Sequence, residues 1–188
     1  MKYVINENYE KEFVINKSKF IVCLIKINDK SELDINIDKI KIKYQGATHY
    51  CYAYIIDSYE KCSDDKEPSG TAGLPILNVL KKNNLNKILC VVIRYFGGIK
   101  LGAGGLLRAY SSTVSDTLKE ITFLEDIEYK NICIEFGYDK IKDIEYFLKD
   151  YEIINKSFND VICFEFKVNV SDMNKVLNYI KNLNIKIK

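Results

Sequence analysis

The sequence has no long apolar run. Its longest, about seven residues from Tyr50 to Ile56, falls far short of the roughly 20 that a bilayer-spanning helix needs, and no apolar signal-peptide core follows Met1. Neither export nor membrane anchoring is expected, and the chain reads as soluble and cytoplasmic. No two of the six cysteines (Cys23, Cys51, Cys62, Cys90, Cys133, Cys163) stand close enough to form a CxxC pair, so zinc and disulfide frameworks have no basis in their spacing. Most of them lie inside strand-like apolar patterns, and all six read as reduced core thiols. There is a single histidine, His49, with no serine or cysteine nucleophile identifiable beside it. It could serve as a base, or simply as a structural residue of its strand.

Acids are missing from one long stretch. Between Pro68 and Ser115 lie 48 residues with no Asp or Glu, where the chain-wide rate of 26 in 188 would place about seven. The same window carries six basic side chains (Lys81, Lys82, Lys87, Arg94, Lys100, Arg108) and seven of the nine glycines, concentrated in GTAG (Gly70 to Gly73) and GGIKLGAGG (Gly97 to Gly105). GGIKLGAGG is not a P-loop, because no GK[ST] follows, and its spacing is wrong for a dinucleotide fingerprint. No cofactor and no metal are expected.

With 47% hydrophobic and 29% charged residues the composition is that of an ordinary globular protein, and 188 residues suffice for one large or two small domains. The net charge of +2 says little about partners. Phe13 to Ile15 and Phe20 to Ile25 read as a hairpin around the polar turn Asn16 to Ser18. In Ser31 to Tyr44, Leu33, Ile37, Ile40 and Tyr44 recur on one helical face, and Gln45 and Gly46 end that helix. His49 to Asp57 reads as a central strand, and Tyr59 to Ser63 pairs with it. A polar loop, Asp64 to Gly70, leads into a helix through Ile76, Val79 and Leu80, with Thr71 as its cap or Pro75 in its first turn. Lys87 to Phe96 is a β-branched strand, Gly97 to Gly105 a loop, and Leu107, Tyr110, Val114, Leu118 and Ile121 mark a long helix. The first domain therefore runs over residues 1 to 125.

Residues 126 to 188 form a second, smaller domain. Strand Tyr129 to Phe136, helix Asp139 to Tyr151, strands Glu152 to Phe158 and Val161 to Val170, helix Ser171 to Leu183 and strand Ile185 to Ile187 give the βαββαβ order of a ferredoxin-like domain. The whole is thus an α+β protein. From Glu128 onward ten basic and ten acidic residues cancel, and the segment offers no chemistry of its own.

Both glycine loops lead into helices, whose first amides are unpaired and carry the positive end of the dipole, so both are candidate anion sites. Lys100 lies in the second loop, Arg108 projects one turn beyond Gly104, and Arg94 shares the face of Phe96 on the incoming strand. Glycine turns that serve only tight packing are the competing explanation. Asp64, Asp65 and Glu67 could bind a metal or transfer protons, form a solvated surface, or hold Lys or Arg side chains of the neighbouring loop. Tyr50, Tyr52 and Tyr54 alternate within the sheet and are expected to pack under a helix rather than stack on bases.

The segments ATHYCYAY (Ala47 to Tyr54), SDDKEPSGTAGLPIL (Ser63 to Leu77) and VVIRYFGGIKLGAGGLLRAYSS (Val91 to Ser112), with SKFI (Ser18 to Ile21) upstream, resemble the YigZ/IMPACT family. The resemblance covers about residues 15 to 120, and the remainder looks like the small domain of bacterial YigZ-type members. It implies a first domain like the second domain of ribosomal protein S5, a sheet with two helices on one face, and a second domain like the fifth domain of elongation factor G. Eukaryotic IMPACT proteins restrain a translation-regulating kinase with the help of an additional RWD domain. None is recognised in this chain, so what carries over is a general association with translation or RNA.

The expected function is therefore that of a non-catalytic binding protein whose partner is RNA or a ribosome- or translation-associated protein. Its anion-binding residues would be Gly70, Thr71, Arg94, Gly97, Gly98, Lys100, Gly102, Gly104, Gly105 and Arg108. Lys19 of SKFI and His49 of ATHY join them through the family motifs. Two alternatives stand beside this: an enzyme acting on a small phosphorylated metabolite or peptide around His49, Asp64 and Asp65, and a protein-interaction module with an exposed apolar patch.

Overall fold

A computed structural model describes all 188 residues and divides into two compact units, Met1–Asp126 and Ile127–Lys188. The first contains β1 (Tyr3–Ile5), β2 (Tyr9–Ile15), β3 (Ser18–Lys26), α1 (Ser31–Lys43), β4 (His49–Ile56), β5 (Tyr59–Ser63), α2 (Gly73–Lys82), β6 (Ile88–Tyr95), α3 (Gly102–Leu118) and β7 (Phe123–Glu125). The second contains β8 (Tyr129–Phe136), α4 (Ile141–Phe147), β9 (Ile153–Phe158), β10 (Ile162–Asn169), α5 (Met173–Asn182) and β11 (Lys186–Ile187).

Five strands of the first unit form an antiparallel sheet in the order β2-β3-β6-β4-β5. Side chains alternate between faces along each strand, so one face collects Phe20, Val22, Leu24, Cys51, Ala53, Cys90 and Val92. α2 covers it with Ile76, Leu77 and Leu80, and α3 with Leu106, Ala109, Tyr110 and Val114. The other face collects Ile21, Cys23, Leu89, Val91 and Ile93 beneath Leu33, Ile37 and Ile40 of α1, with Tyr50, Tyr52 and Tyr54 packed at its margin. Both faces of β6 are thereby covered, which is why Ile88 through Ile93 are all fully buried and why that strand reads as a continuous apolar run. The arrangement implied by the resemblance, two helices on one face, describes α2 and α3. α1 adds a layer on the opposite face.

β1 and β7 pair with each other in a separate ribbon that the sequence pattern does not reveal. Three residues each are too few to display an alternation. The ribbon is fixed from outside: the Asn86 amide donates to the Tyr3 carbonyl at 2.7 Å, and Lys87 and Asn86 both bond the Asp126 carboxylate.

In the second unit the antiparallel sheet order is β11-β8-β10-β9. Ile132, Ile134 and Phe136 of β8 and Phe164, Phe166 and Val168 of β10 face Ile144, Val176 and Ile180 of the helices. The alternate positions of those strands carry Cys133, Glu135, Cys163 and Glu165, which are half-buried on the face away from this core. That corrects the reading of all six cysteines as core thiols: Cys23, Cys51 and Cys90 are buried, and Cys62, Cys133 and Cys163 are not. No helix is long and apolar enough to cross a membrane.

Candidate anion-binding site

The motif-bearing segments converge where β6 and β4 run side by side. Register places His49 opposite Arg94 and Phe20 on the other flank of Arg94, all three on the α2/α3 face of the sheet. The loop from Asp64 returns over this end and drops Glu67 into the same place. Arg94 Nη1 donates to Glu67 Oε1 at 2.6 Å, and the Tyr110 hydroxyl of α3 donates to the same oxygen at 2.9 Å. His49 Nε2 stands 3.8 Å from it. Arg94 is only 4% exposed and Glu67 8%, so the pair is an internal one. Phe20 and Phe96 flank the guanidinium at 5.4 and 5.6 Å. Ser18, also buried, receives Arg94 Nη2 at 3.4 Å and the Gly97 amide at 3.2 Å on its hydroxyl.

Burial first, then the nearby Cys51 and Glu67, push the Tyr110 phenol well above its ordinary range and keep it a neutral donor. Cys51 is raised to about 12, again chiefly by burial. Its thiol donates to the Asp64 carbonyl at 3.0 Å.

Asp64 determines the fate of the first glycine loop. Its Oδ2 accepts from the Gly70 amide at 2.9 Å, and its Oδ1 from Ala72 at 3.0 Å and Gly73 at 2.8 Å. The start of α2 is thus already occupied by a carboxylate of the chain itself. Thr71 is buried and donates its hydroxyl to the Pro68 carbonyl at 2.6 Å rather than capping the helix, while Pro75 does sit in the first turn. His49 Nδ1 is 2.8 Å from the Asp65 carbonyl, and Asp65 Oδ2 accepts from the Tyr50 amide at 2.6 Å. Gly70, Thr71, Arg94 and His49, expected as ligand contacts, are therefore engaged within the protein. The expectation that the α2 start offers free amides is corrected for the same reason.

The second loop is built differently. α3 begins at Gly102, earlier than the loop expected through Gly105, because Leu106, Ala109 and Tyr110 anchor the helix to the sheet and override the poor helix propensity of its glycines. No side chain caps it and no acid lies in its first turn. Its leading amides have no intrahelical partner. A Cβ at Gly104 would meet only the Arg108 guanidinium, at 3.6 Å, so Arg108 folds back over the helix start while remaining exposed. Lys100 is exposed one residue before Leu101.

Gly97 fits against the β2–β3 turn so closely that a Cβ there would overlap the Lys17 carbonyl, which brings Lys17 to the same edge. Lys17, Lys100 and Arg108 have no acidic partner. Ile15, Asn16, Leu101, Gly105, Arg108 and Ser112 line a shallow depression of about 260 Å³ beside the helix start. Lys19 stays outside this group: it points to the α1 face, 3.5 Å from Glu12 and 5.2 Å from the Tyr95 ring. Sequence reasoning missed Lys17, because a turn lysine has no periodic signature. It offered Glu67 as a possible holder of a Lys or Arg without naming Arg94, and it missed the Tyr110 hydroxyl as the second donor to Glu67.

The family model for the Impact N-terminal domain matches residues 16–118, which hold the buried network and the α3 start alike. The chain belongs to the IMPACT family. The IMPACT family member YvyE of Bacillus subtilis (strain 168) is 41% identical over 173 residues, covering 90% of this chain and 80% of its own length. The IMPACT family member YigZ of Escherichia coli (strain K12) is 32% identical over 151 residues, covering 77% and 74%. A crystal structure of a hypothetical protein superimposes with a TM-score of 0.69 at 25% identity, over 99% of this chain and 95% of that one. Across the IMPACT match, the four motif segments thus serve two purposes here, a sealed polar network and an open helix start.

Proposed function

We propose that this chain is a cytoplasmic, non-catalytic binding protein of translation regulation, and that the start of α3 takes phosphate groups of RNA. One observation carries this reading: the first turn of α3 is uncapped and exposed Arg108 folds back over it, while exposed Lys17 and Lys100 lie in the adjoining turn and loop, none of the three paired with an acid. Unpaired amides at a dipole's positive end, with cations beside them, form an anion cradle. The catalytic alternative has less support, since His49 Nδ1, Asp65 Oδ2 and both Asp64 oxygens are committed to backbone partners. The eukaryotic IMPACT proteins' role in translation is the basis for naming RNA. We also read the first unit as ribosomal protein S5 domain 2-like. The βαββαβ order with sheet order β11-β8-β10-β9 supports a ferredoxin-like second unit.

Fluorescence anisotropy with labelled ribosomal RNA fragments over a salt series tests the RNA reading. Affinity falls steeply as salt rises, and Lys100→Ala or Arg108→Ala weakens binding about equally for all sequences, each lowering the salt slope by about 1. Salt-insensitive binding, or an Arg108→Ala variant equal to wild type, refutes it. A protein partner has one observation in its favour. Leu74, Pro75, Val79 and Leu107 line an apolar groove between α2 and α3, with Leu74 and Leu107 each 47% exposed. Leu107→Ser distinguishes the two, because it adds no charge beside Arg108, leaves RNA affinity intact and removes only an apolar protein contact.

A further inference from the structure

Cys133 and Cys163 sit on the two central strands of the second unit's sheet. β8 and β10 pair with Cys133 opposite Glu165 and Cys163 opposite Glu135, so the two cysteines are diagonal neighbours on one face. That face is the one turned away from Ile134 and Phe164, and both thiols are partly accessible. Their sulfurs lie 2.8 Å apart, about 0.8 Å beyond the covalent S–S length of about 2.05 Å. The gap lies between two side chains whose backbones the ladder already holds on neighbouring strands.

We propose that Cys133 and Cys163 are a thiol–disulfide exchange site, oxidised by low-molecular-weight disulfides to a reversible cross-link between β8 and β10. The electrons balance with the small disulfide RSSR as oxidant. One cysteine thiolate attacks a sulfur of RSSR, releasing the first RS⁻, and leaves a protein mixed disulfide. The second cysteine thiolate attacks the protein sulfur of that mixed disulfide, forms the Cys133–Cys163 bond and expels the second RS⁻. The two thiol protons end on the two RSH products, and the pair of cysteines loses two electrons to RSSR.

The hydrogen bond to Cys163, then partial burial, pushes the Cys133 thiol up to about 11. Either thiol can make the first attack on RSSR. Whichever sulfur then carries RS, its neighbour stands within reach to resolve the adduct. Lys188, whose charge favours the Cys133 thiolate, is bonded to Glu135 at 2.9 Å on the same face.

The other four cysteines are not equivalent. Cys23 is raised to about 12 and donates to Glu10, Cys51 is raised to about 12 and donates to Asp64 and Tyr110, and Cys90 is fully buried. Cys62 is half-buried on the edge strand β5. In a reducing compartment a pair of this kind is transient and responsive rather than structural.

Incubation of the full chain with oxidised glutathione tests the proposal. Intact-mass spectrometry should show a loss of about 2 Da, the two hydrogens removed, and peptide mapping should join Cys133 to Cys163, with dithiothreitol restoring the original mass. Cys133→Ser should trap one stable glutathione adduct on Cys163, because the resolving sulfur is gone. The proposal is overturned if wild type keeps both thiols alkylatable at excess oxidised glutathione, or if adducts persist on both without a link. A cross-link through Cys62 also overturns it. Differential alkylation of the wild type gives the answer even where a serine variant folds poorly.

Discussion

Arg94 illustrates why a motif residue need not be a ligand residue. Its guanidinium is sealed under Phe20 and Phe96 and shares Glu67 with Tyr110. Removing one member of a buried ion pair leaves the other charge without compensation, which costs about 3–5 kcal/mol. Arg94→Ala should therefore lower unfolding stability by about that amount in urea denaturation. The double variant Arg94→Met with Glu67→Leu should lose less than the two single changes added together, since they belong to one network. Additive losses would show that the pair is not coupled.

Asp64 makes a pH-dependent prediction. Partial burial raises its pKa, and the amide bonds from Gly70, Gly73 and Ala72 more than reverse this, so the net shift is downward. A depressed carboxyl contributes stability that is present above its unfolded value of about 3.9 and is lost as pH falls through the folded value. Asp64→Ala should cost about 0.5–2 kcal/mol near neutral pH, as a lost helix cap does, and the gap from wild type should shrink below about pH 4. A gap that does not narrow at all between about pH 5 and about pH 1 would mean that the carboxylate charge is not what holds the α2 start.

At this scale the sequence revealed which residues matter better than what they touch. The option that the Asp64–Glu67 acids hold a Lys or Arg of the neighbouring loop names the right kind of partner for Glu67, but that partner, Arg94, lies on strand β6 and not in a loop. That option could not be separated from a solvated loop, because the 27-residue separation of Glu67 and Arg94 is closed only by the sheet register.

Elements with a full hydrophobic period were legible. α1 spans Ser31–Lys43 where Leu33, Ile37 and Ile40 mark its buried face, and β8 spans Tyr129–Phe136 as its alternation predicts. The start of α3 was not, since Gly102, Gly104 and Gly105 look like loop and only the packing of Leu106 and Tyr110 makes them helix.

The β6–α3 connection is an element where two adjacent glycines do different work. A Cβ at Gly97 runs into the Lys17 backbone, whereas Gly98 has open space around it and a φ of +84°. Gly97→Ala should cost about 1–3 kcal/mol and displace the Asn16–Lys17 turn, weakening RNA affinity as Lys17 moves from the α3 start. Gly98→Ala pays only the left-handed backbone penalty, about 1–2 kcal/mol, and should leave the turn in place. Backbone chemical shifts of Asn16 and Lys17 in the two variants separate these outcomes. Equal perturbation by both would contradict the close approach.

At the scale of the whole molecule, each unit closes a core from its own residues: Phe20, Val92 and Tyr110 with their neighbours in one, Phe164, Phe166 and Ile180 in the other. The two-part pattern was legible because the glycine-rich loops and the long helix end before residue 126 and a new βαββαβ succession starts at Tyr129, whereas the β1–β7 ribbon that closes the first unit was not. The second unit spans only Ile127–Lys188, and a core of that size rarely supplies more than about 3–5 kcal/mol. A cross-link between Cys133 and Cys163 closes a loop separated by 30 positions, and constraining the unfolded chain over such a loop is worth about 3–4 kcal/mol.

Oxidation should therefore nearly double the second unit's stability while leaving the amides of β6 unchanged. Native-state hydrogen exchange on oxidised and reduced protein measures both at once. Slower exchange at Ile134 and Phe164 alone is the expected result. No change there would mean that the bond forms without constraining the unfolded second unit, and equal slowing in β6 would mean that the two cores do not unfold separately.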